Sequence, residues 1–215
     1  MKTVDNFQLL GDFLEFPDED VFYTAQIIIR KKDHPDEPAM KSQRIIRTYY
    51  LDSPGKLAAL EPEIKALCHL AGARAYLNPS PKSYRRMAFL MSRLLLERVE
   101  NGNFRKCYKT AESAAGQTGS NNGGWWVLDC DFPLPKPEDN EAWWGDYAKL
   151  EAASNERRAD FRENHIVPTP NGFHILVRPF GPLTHTNNGL RWNGGEIKCG
   201  ELKKNAPTVL FAETS

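Results

Sequence analysis

The sequence predicts an α+β fold in two lobes: a small α/β lobe over residues 1–124 and a mostly antiparallel sheet lobe over residues 125–215, together forming one compact body. Three observations support this. Runs rich in β-branched and aromatic residues, Val21 to Ile29 and Arg44 to Asp52, stand next to stretches of helical period in the first half. After the glycine-rich stretch at 116–124 the pattern shifts to short apolar strands separated by proline and glycine turns. No internal repeat or separate linker divides the chain.

Taken in order, Val21 to Ile29 reads as a strand and residues 33–42 as a charged loop with two prolines. Arg44 to Asp52 reads as a second strand, antiparallel to the first. Arg30, Lys31, Lys32, Arg44 and Arg47 then lie close together, either as a charged edge that blocks aggregation or as a phosphate-binding surface. Ser53-Pro54 opens a helical turn, Glu61-Pro62 restarts one, and Gly72 ends it. Ala73 to Leu77 is a short strand, and Asn78-Pro79-Ser80-Pro81 is a turn with Ser80 as the N-cap of the next helix. That helix runs to about Val99 and points Met87, Leu90, Met91, Leu94 and Leu95 inward. Lys82, Arg85 and Arg86 in its first turns form either a phosphate-attracting cluster or a solvated face.

Residues 100–124 end in a polar loop, Gly116 to Gly124, without the Gly-Lys-Ser/Thr ending of a P-loop. Trp125 to Asp131 is an apolar strand ending in Asp-x-Asp. On a strand Asp129 and Asp131 share a face while Cys130 points into the other layer. Two carboxylates so placed make a hard oxygen site suited to Mg²⁺ or Mn²⁺; the plainer alternative is an acidic turn after a buried strand. Pro133, Pro135 and Pro137 enforce an extended exit, and Glu141 to about Asn164 reads as one charged helix with Trp143-Trp144 in the core. Ile166 to Pro168 and Phe173 to Val177 are strands joined by a turn at 170–172, and strands over 190–198 and 207–212 close the chain.

Composition narrows the function classes. Lys+Arg and Asp+Glu number 28 each, so no global field steers the chain to polyanions and any nucleic-acid contact must be local. No run is long and apolar enough for a membrane span, and the start lacks an apolar signal core. A cytoplasmic chain with no membrane partner is expected, its cysteines at 68, 107, 130 and 199 reduced. No Cys/His cluster with zinc spacing occurs. A nucleophile elbow and a His-Glu-x-x-His motif are also absent, and His174-Ile175-Leu176 and His185-Thr186-Asn187 do not fit a two-histidine phosphoesterase.

Asp129 and Asp131, then Thr169-x-x-Gly172-x-His174, then Glu196 followed by Lys198 form an ordered constellation across three predicted strands. This order resembles the archaeo-eukaryotic primase superfamily, particularly its PrimPol-like branch, over residues 125–212. Val127 to Asp131 stands at the first motif and Gly172-Phe173-His174 at the second, with Gly where Ser is usual. Glu196-Ile197-Lys198 stands at the third, where Asp is commoner. The resemblance implies an RRM-like second lobe carrying the carboxylates. It implies two-metal nucleotidyl transfer to a 3′-hydroxyl, with metals about 4 Å apart. Asp129, Asp131 and Glu196 would hold Mg²⁺ or Mn²⁺, and His174 would contact the triphosphate of the incoming nucleotide. Gly172 would let the backbone approach the phosphates, and Lys198, Lys203, Lys204 and the Lys82/Arg85/Arg86 cluster would supply phosphate and template charge. The partners implied are nucleoside triphosphates and single-stranded or primer-template nucleic acid. A compact chain without a helicase or zinc part is also what a phage or mobile element encodes. The alternative is a non-catalytic nucleic-acid or nucleotide-binding protein that keeps the same fold.

Overall fold

The computed structural model describes residues 2–34, 42–119, 124–136, 138, 140–155, 166–178, 184–186, 189–192, 195–197, 200–204 and 206–214. Among these the chain is mixed α+β, and its sheets are antiparallel. The elements in order are β1 (Lys2–Asp5), α1 (Phe7–Phe13), β2 (Val21–Ile29), β3 (Arg44–Leu51), α2 (Pro54–Ala71), β4 (Arg74–Ser83), α3 (Tyr84–Glu100) and α4 (Thr110–Gln117). They continue with β5 (Trp126–Cys130), α5 (Glu141–Asn155), β6 (Ile166–Pro168), β7 (Phe173–Val177), β8 (Thr184–Thr186), β9 (Gly189–Trp192), β10 (Gly195–Ile197), β11 (Glu201–Lys204) and β12 (Thr208–Thr214).

A five-stranded sheet has the order β1-β12-β4-β2-β3 and a four-stranded sheet the order β11-β5-β7-β6. Strands β10, β9 and β8 form a separate small sheet. Alternation along β2 sends Tyr23, Ala25, Ile27 and Ile29 into a core with Leu57, Ile64 and Cys68 of α2 and Leu10 of α1. The other face of β2 presents Thr24 and Gln26 to a polar cleft. In the four-stranded sheet Leu128, Cys130, Phe173, Ile175 and Val177 pack against Trp143, Tyr147 and Leu150 of α5. Each fully buried Leu or Ile there removes enough apolar surface to contribute about 2 kcal/mol.

The chain crosses the division expected at 124/125. Strand β12 returns to lie between β1 and β4, because its Val209, Leu210, Phe211 and Ala212 are all buried. Trp125, Val127, Val167 and Leu176 belong to the same core as α1 and α2. Buried Asn6 ties the two sheets, donating to the Pro168 carbonyl at 2.9 Å and the Val209 carbonyl at 2.8 Å.

Several local expectations change. Asn78-Pro79-Ser80-Pro81 is not a turn: β4 runs through it to Ser83. The two prolines sit where the β2 register jumps between Phe22 and Thr24 and beyond the last β12 pairing at Leu77, so no ladder donor is needed from them. The helix consequently starts at Tyr84, and its N-cap is Ser83, whose Oγ accepts from the Arg86 N–H at 3.1 Å. Ser80 is instead buried, and its Oγ accepts the Trp125 N–H at 2.9 Å, which anchors the chain just before β5.

Helix α2 is continuous through Pro62 because Leu57, Ile64 and Cys68 keep one buried face. It ends at Gly72 with φ 55°, where a β-carbon would strike the His34 ring. Leu95 is exposed rather than inward, and α3 has no buried residue. Helix α4 occupies a stretch given no element from sequence and reaches only two residues into the loop expected from Gly116. The span 190–198 is divided between β9 and β10, which pair as a hairpin.

Candidate functional site

Strand register builds the site. β5 and β7 pair antiparallel with Asp129 opposite His174 and Val127 opposite Leu176. Both polar side chains therefore leave the sheet on the face away from α5, while Cys130 and Phe173 point into the α5 core. The His174 Nε2 lies 3.3 Å from Asp129 Oδ1. On the far side of β5, β11 places Lys203 against Asp129 Oδ2 in a hydrogen-bonded ion pair. The Lys203 ammonium is also 3.7 Å from Glu201.

Two glycines permit this arrangement. A β-carbon on Gly172 would fall 1.9 Å from the Cys130 carbonyl oxygen and 2.8 Å from that of Phe132. One on Gly200 would fall 2.6 Å from Cys130 Sγ and 2.9 Å from the Asp129 carbonyl oxygen. The backbone thus presses on the acidic strand end from both sides. Gly172, expected to approach phosphates, spends its lack of a side chain on the chain itself. Its turn is closed by Thr169, whose N–H donates to the Gly172 carbonyl at 2.9 Å and whose Oγ1 accepts the Gly172 N–H at 3.0 Å.

His174 is buried, and its Nδ1 shares a 2.9 Å hydrogen bond with Thr208 Oγ1 on β12 of the other sheet. An ionised Asp129 only accepts, so Nε2 carries the proton that faces it; in the neutral ring Nδ1 then accepts from the threonine hydroxyl. The His174 hydrogen bond, followed by the Lys203 bond, holds the Asp129 carboxyl far below the usual carboxylate range, against a burial effect that pushes it up. The Asp129 bond raises the Lys203 ammonium. Burial pushes the Cys130 thiol up to about 12.

Asp129, Asp131, His174 and Lys203 line one cleft of about 500 Å³ between the two sheets. The five-stranded sheet contributes Arg74 and Tyr76 of β4, and Arg30 and Lys32 follow β2. Arg74 is paired with Asp33 at 2.6 Å. The Arg30 guanidinium donates to the Tyr76 hydroxyl at 3.1 Å. Among the described residues neither Arg30 nor Lys32 has a carboxylate partner, so both charges remain available to an anionic ligand. The basic run after β2 thus divides: Arg30 and Lys32 face the cleft, while Arg47 pairs with Glu63 at 3.0 Å on edge strand β3.

Other sequence candidates lie elsewhere. Lys82 is buried and lines a second, smaller cleft. The start of α3 is already capped by a carboxylate: Asp20 accepts the Arg85 N–H at 2.7 Å and the Ser83 hydroxyl at 2.6 Å. Arg86 donates to the Gly119 carbonyl at 3.2 Å. Glu196 lies on β10 opposite Arg191 of β9, and nothing is described of its side chain; Lys198 lies outside the described residues. Lys204 closes β11 opposite Trp126.

Among the described residues no three His, Cys, Asp or Glu side chains form a group that could hold a metal ion. The hard donors on the cleft are Asp129 and Asp131, and both raise the Lys203 ammonium between them, so a cation is already favoured at this point. Two carboxylates suffice for Mg²⁺ or Mn²⁺ when phosphate oxygens and water complete the shell, provided Lys203 swings aside. Its side chain is 41% exposed, which leaves it room to do so.

Sequence reasoning missed Thr208, Gly200, Arg30 as a cleft residue, and Ser80 as the anchor before β5. A buried threonine in an apolar run gives no sequence signal, because its role depends on which strand lies beside β7. Searches against family models, curated proteins and solved structures find no match to this chain. No helix among the described residues is long and apolar enough to cross a membrane.

Proposed function

We propose that this chain is a metal-dependent nucleotidyltransferase of primase-polymerase type, acting in the cytoplasm on nucleoside triphosphates and a nucleic-acid strand. The observation that carries the reading is the Asp129–His174 register pair in a cleft that also holds Asp131 and the cations Arg30, Lys32 and Lys203. In this reading the four-stranded sheet backed by α5 is the RRM-like lobe, and the five-stranded sheet forms the facing wall.

Asp129 and Asp131 on the cleft would hold Mg²⁺ or Mn²⁺, and Glu196 is the third ligand that the primase resemblance suggests. The metal would supply Lewis-acid stabilisation of charge on the phosphoryl oxygens. Arg30 and Lys32, on the opposite wall, neutralise the triphosphate. His174, fixed by Thr208, donates its Nε2–H toward the carboxylate or toward a phosphate oxygen that takes its place.

A second reading, a nucleotide or nucleic-acid binder without turnover, is favoured by one feature. Asp129 is already neutralised by Lys203 and hydrogen-bonded by His174, so the acid needs no metal to be satisfied. Primer extension with Mn²⁺ and nucleoside triphosphates separates the two. Incorporation by the wild type that is lost in Asp129→Asn and Asp131→Asn, with primer-template binding retained, supports the enzyme. Nucleotide binding with no incorporation under any divalent metal supports the binder. Absence of both binding and incorporation overturns each.

A further inference from the structure

We infer that the second cleft, around Lys82 and Glu112, is a nucleobase pocket whose best-matched occupant is guanine. It has a volume of about 210 Å³, smaller than a typical drug-sized site and suited to one planar ring system. It lies on the same face of the five-stranded sheet as the Asp129 cleft, and Tyr76 and Pro207 line both. The pocket therefore continues the first cleft along the sheet.

The chemistry of the lining is specific. Lys82 reaches it from β4, and Glu112 from α4. The Lys82 ammonium is buried, and its described bond is a 3.3 Å donation to the Thr118 carbonyl. Two of its three N–H donors are thus left for a ligand. Among the described residues no carboxylate pairs with it, and burial lowers its pKa from the ordinary lysine value. A buried cation with so little compensation is costly unless something else accepts from it.

Glu112 supplies the opposite polarity and lies close enough to Tyr50 that its charge, after burial, helps raise that phenol. Gln26 and Asn78 add amide groups, and the Tyr50 and Tyr76 rings add flat apolar surface. A ring with a carbonyl next to N–H groups satisfies an ammonium and a carboxylate together. Guanine has this edge: O6 accepts from Lys82, while N1–H and the 2-amino group donate to Glu112. Adenine turns an amino group toward the ammonium and an acceptor toward the carboxylate, so both contacts become repulsive.

The inference extends the nucleotide-handling reading and rests on it for its biological sense, yet it fails or stands separately. Nucleosides carry no phosphate, so calorimetric titration of the full chain with guanosine and adenosine probes this pocket apart from the cationic cleft. Guanosine is expected to bind at least about tenfold tighter than adenosine. Glu112→Ala should erase that preference, Lys82→Met should weaken guanosine binding about tenfold or more, and Asp129→Asn should leave both unchanged. If Lys82→Met does not fold, the Glu112→Ala comparison decides. Equal binding of the two nucleosides, no saturable binding, or an unchanged preference in Glu112→Ala overturns the assignment. Guanosine preference without nucleotide incorporation would remove the enzymatic reading and leave the pocket in place.

Discussion

Gly172→Ala tests the geometry on which the Asp129–His174 pair depends. The added β-carbon would lie 1.9 Å from the Cys130 carbonyl oxygen and under 3.0 Å from two further backbone atoms of Phe132. All three neighbours are backbone, so no side chain can rotate away, and the turn must withdraw by about 1 Å. That withdrawal opens the β5–β7 ladder at the Cys130–Phe173 pair, directly next to Asp129–His174. The cost belongs at the upper end for overpacking, about 3 kcal/mol. For a chain of this size it lowers Tm by roughly 6–12 °C. Gly145→Ala in α5 is the internal control, because nothing lies within 4 Å of its added β-carbon. There the helix gains about 0.5–1 kcal/mol and Tm rises by roughly 1–4 °C. Differential scanning calorimetry of both variants beside the wild type is the assay. A Gly172→Ala Tm within about 2 °C of wild type would refute the close approach.

Two further predictions concern titration and thiol access. The folded pKa of Asp129 lies below its unfolded value, so its pairing contributes stability above roughly pH 3.9 and loses it progressively as pH falls through the folded value. The acid limb of Tm against pH should therefore be shallower in Asp129→Asn than in wild type; identical limbs would show that the carboxylate is not held by His174 and Lys203. Cys68 and Cys130 are buried thiols pushed up to about 12, whereas Cys107 is partly exposed. In native protein at pH 8, iodoacetamide should modify Cys107 before Cys68 or Cys130, as read by peptide mass spectrometry. Early modification of Cys130 would mean that β5 does not pack on α5.

Legibility from sequence followed the range of the physics involved. β2, β3, β5 and β7 were readable because runs of β-branched, aromatic and apolar residues are a local signal, and side-chain alternation along β5 already put Asp129 and Asp131 on one face. β1, α1, α4 and β11 were not read, since short elements of mixed composition form only when a neighbour covers them. Ser80 shows the limit clearly: it looks like a helix cap, and only the continuation of β4 past its prolines gives the cap to Ser83 and makes Ser80 an anchor for β5. The cations divided in the same way. Arg30 and Lys32 reach the acidic cleft because β2 ends beside it, whereas Lys82, five residues beyond Leu77 on β4, serves a different cavity.

By itself the sequence determined which side chains could do chemistry and which strand face would carry them, because side-chain alternation follows from backbone geometry alone. Only the tertiary structure decided that β7 pairs with β5 in the register that opposes His174 to Asp129, and that β12 supplies Thr208 behind the imidazole. Those choices depend on contacts between residues far apart in the chain, and their free energy exists only once the sheets have closed on each other.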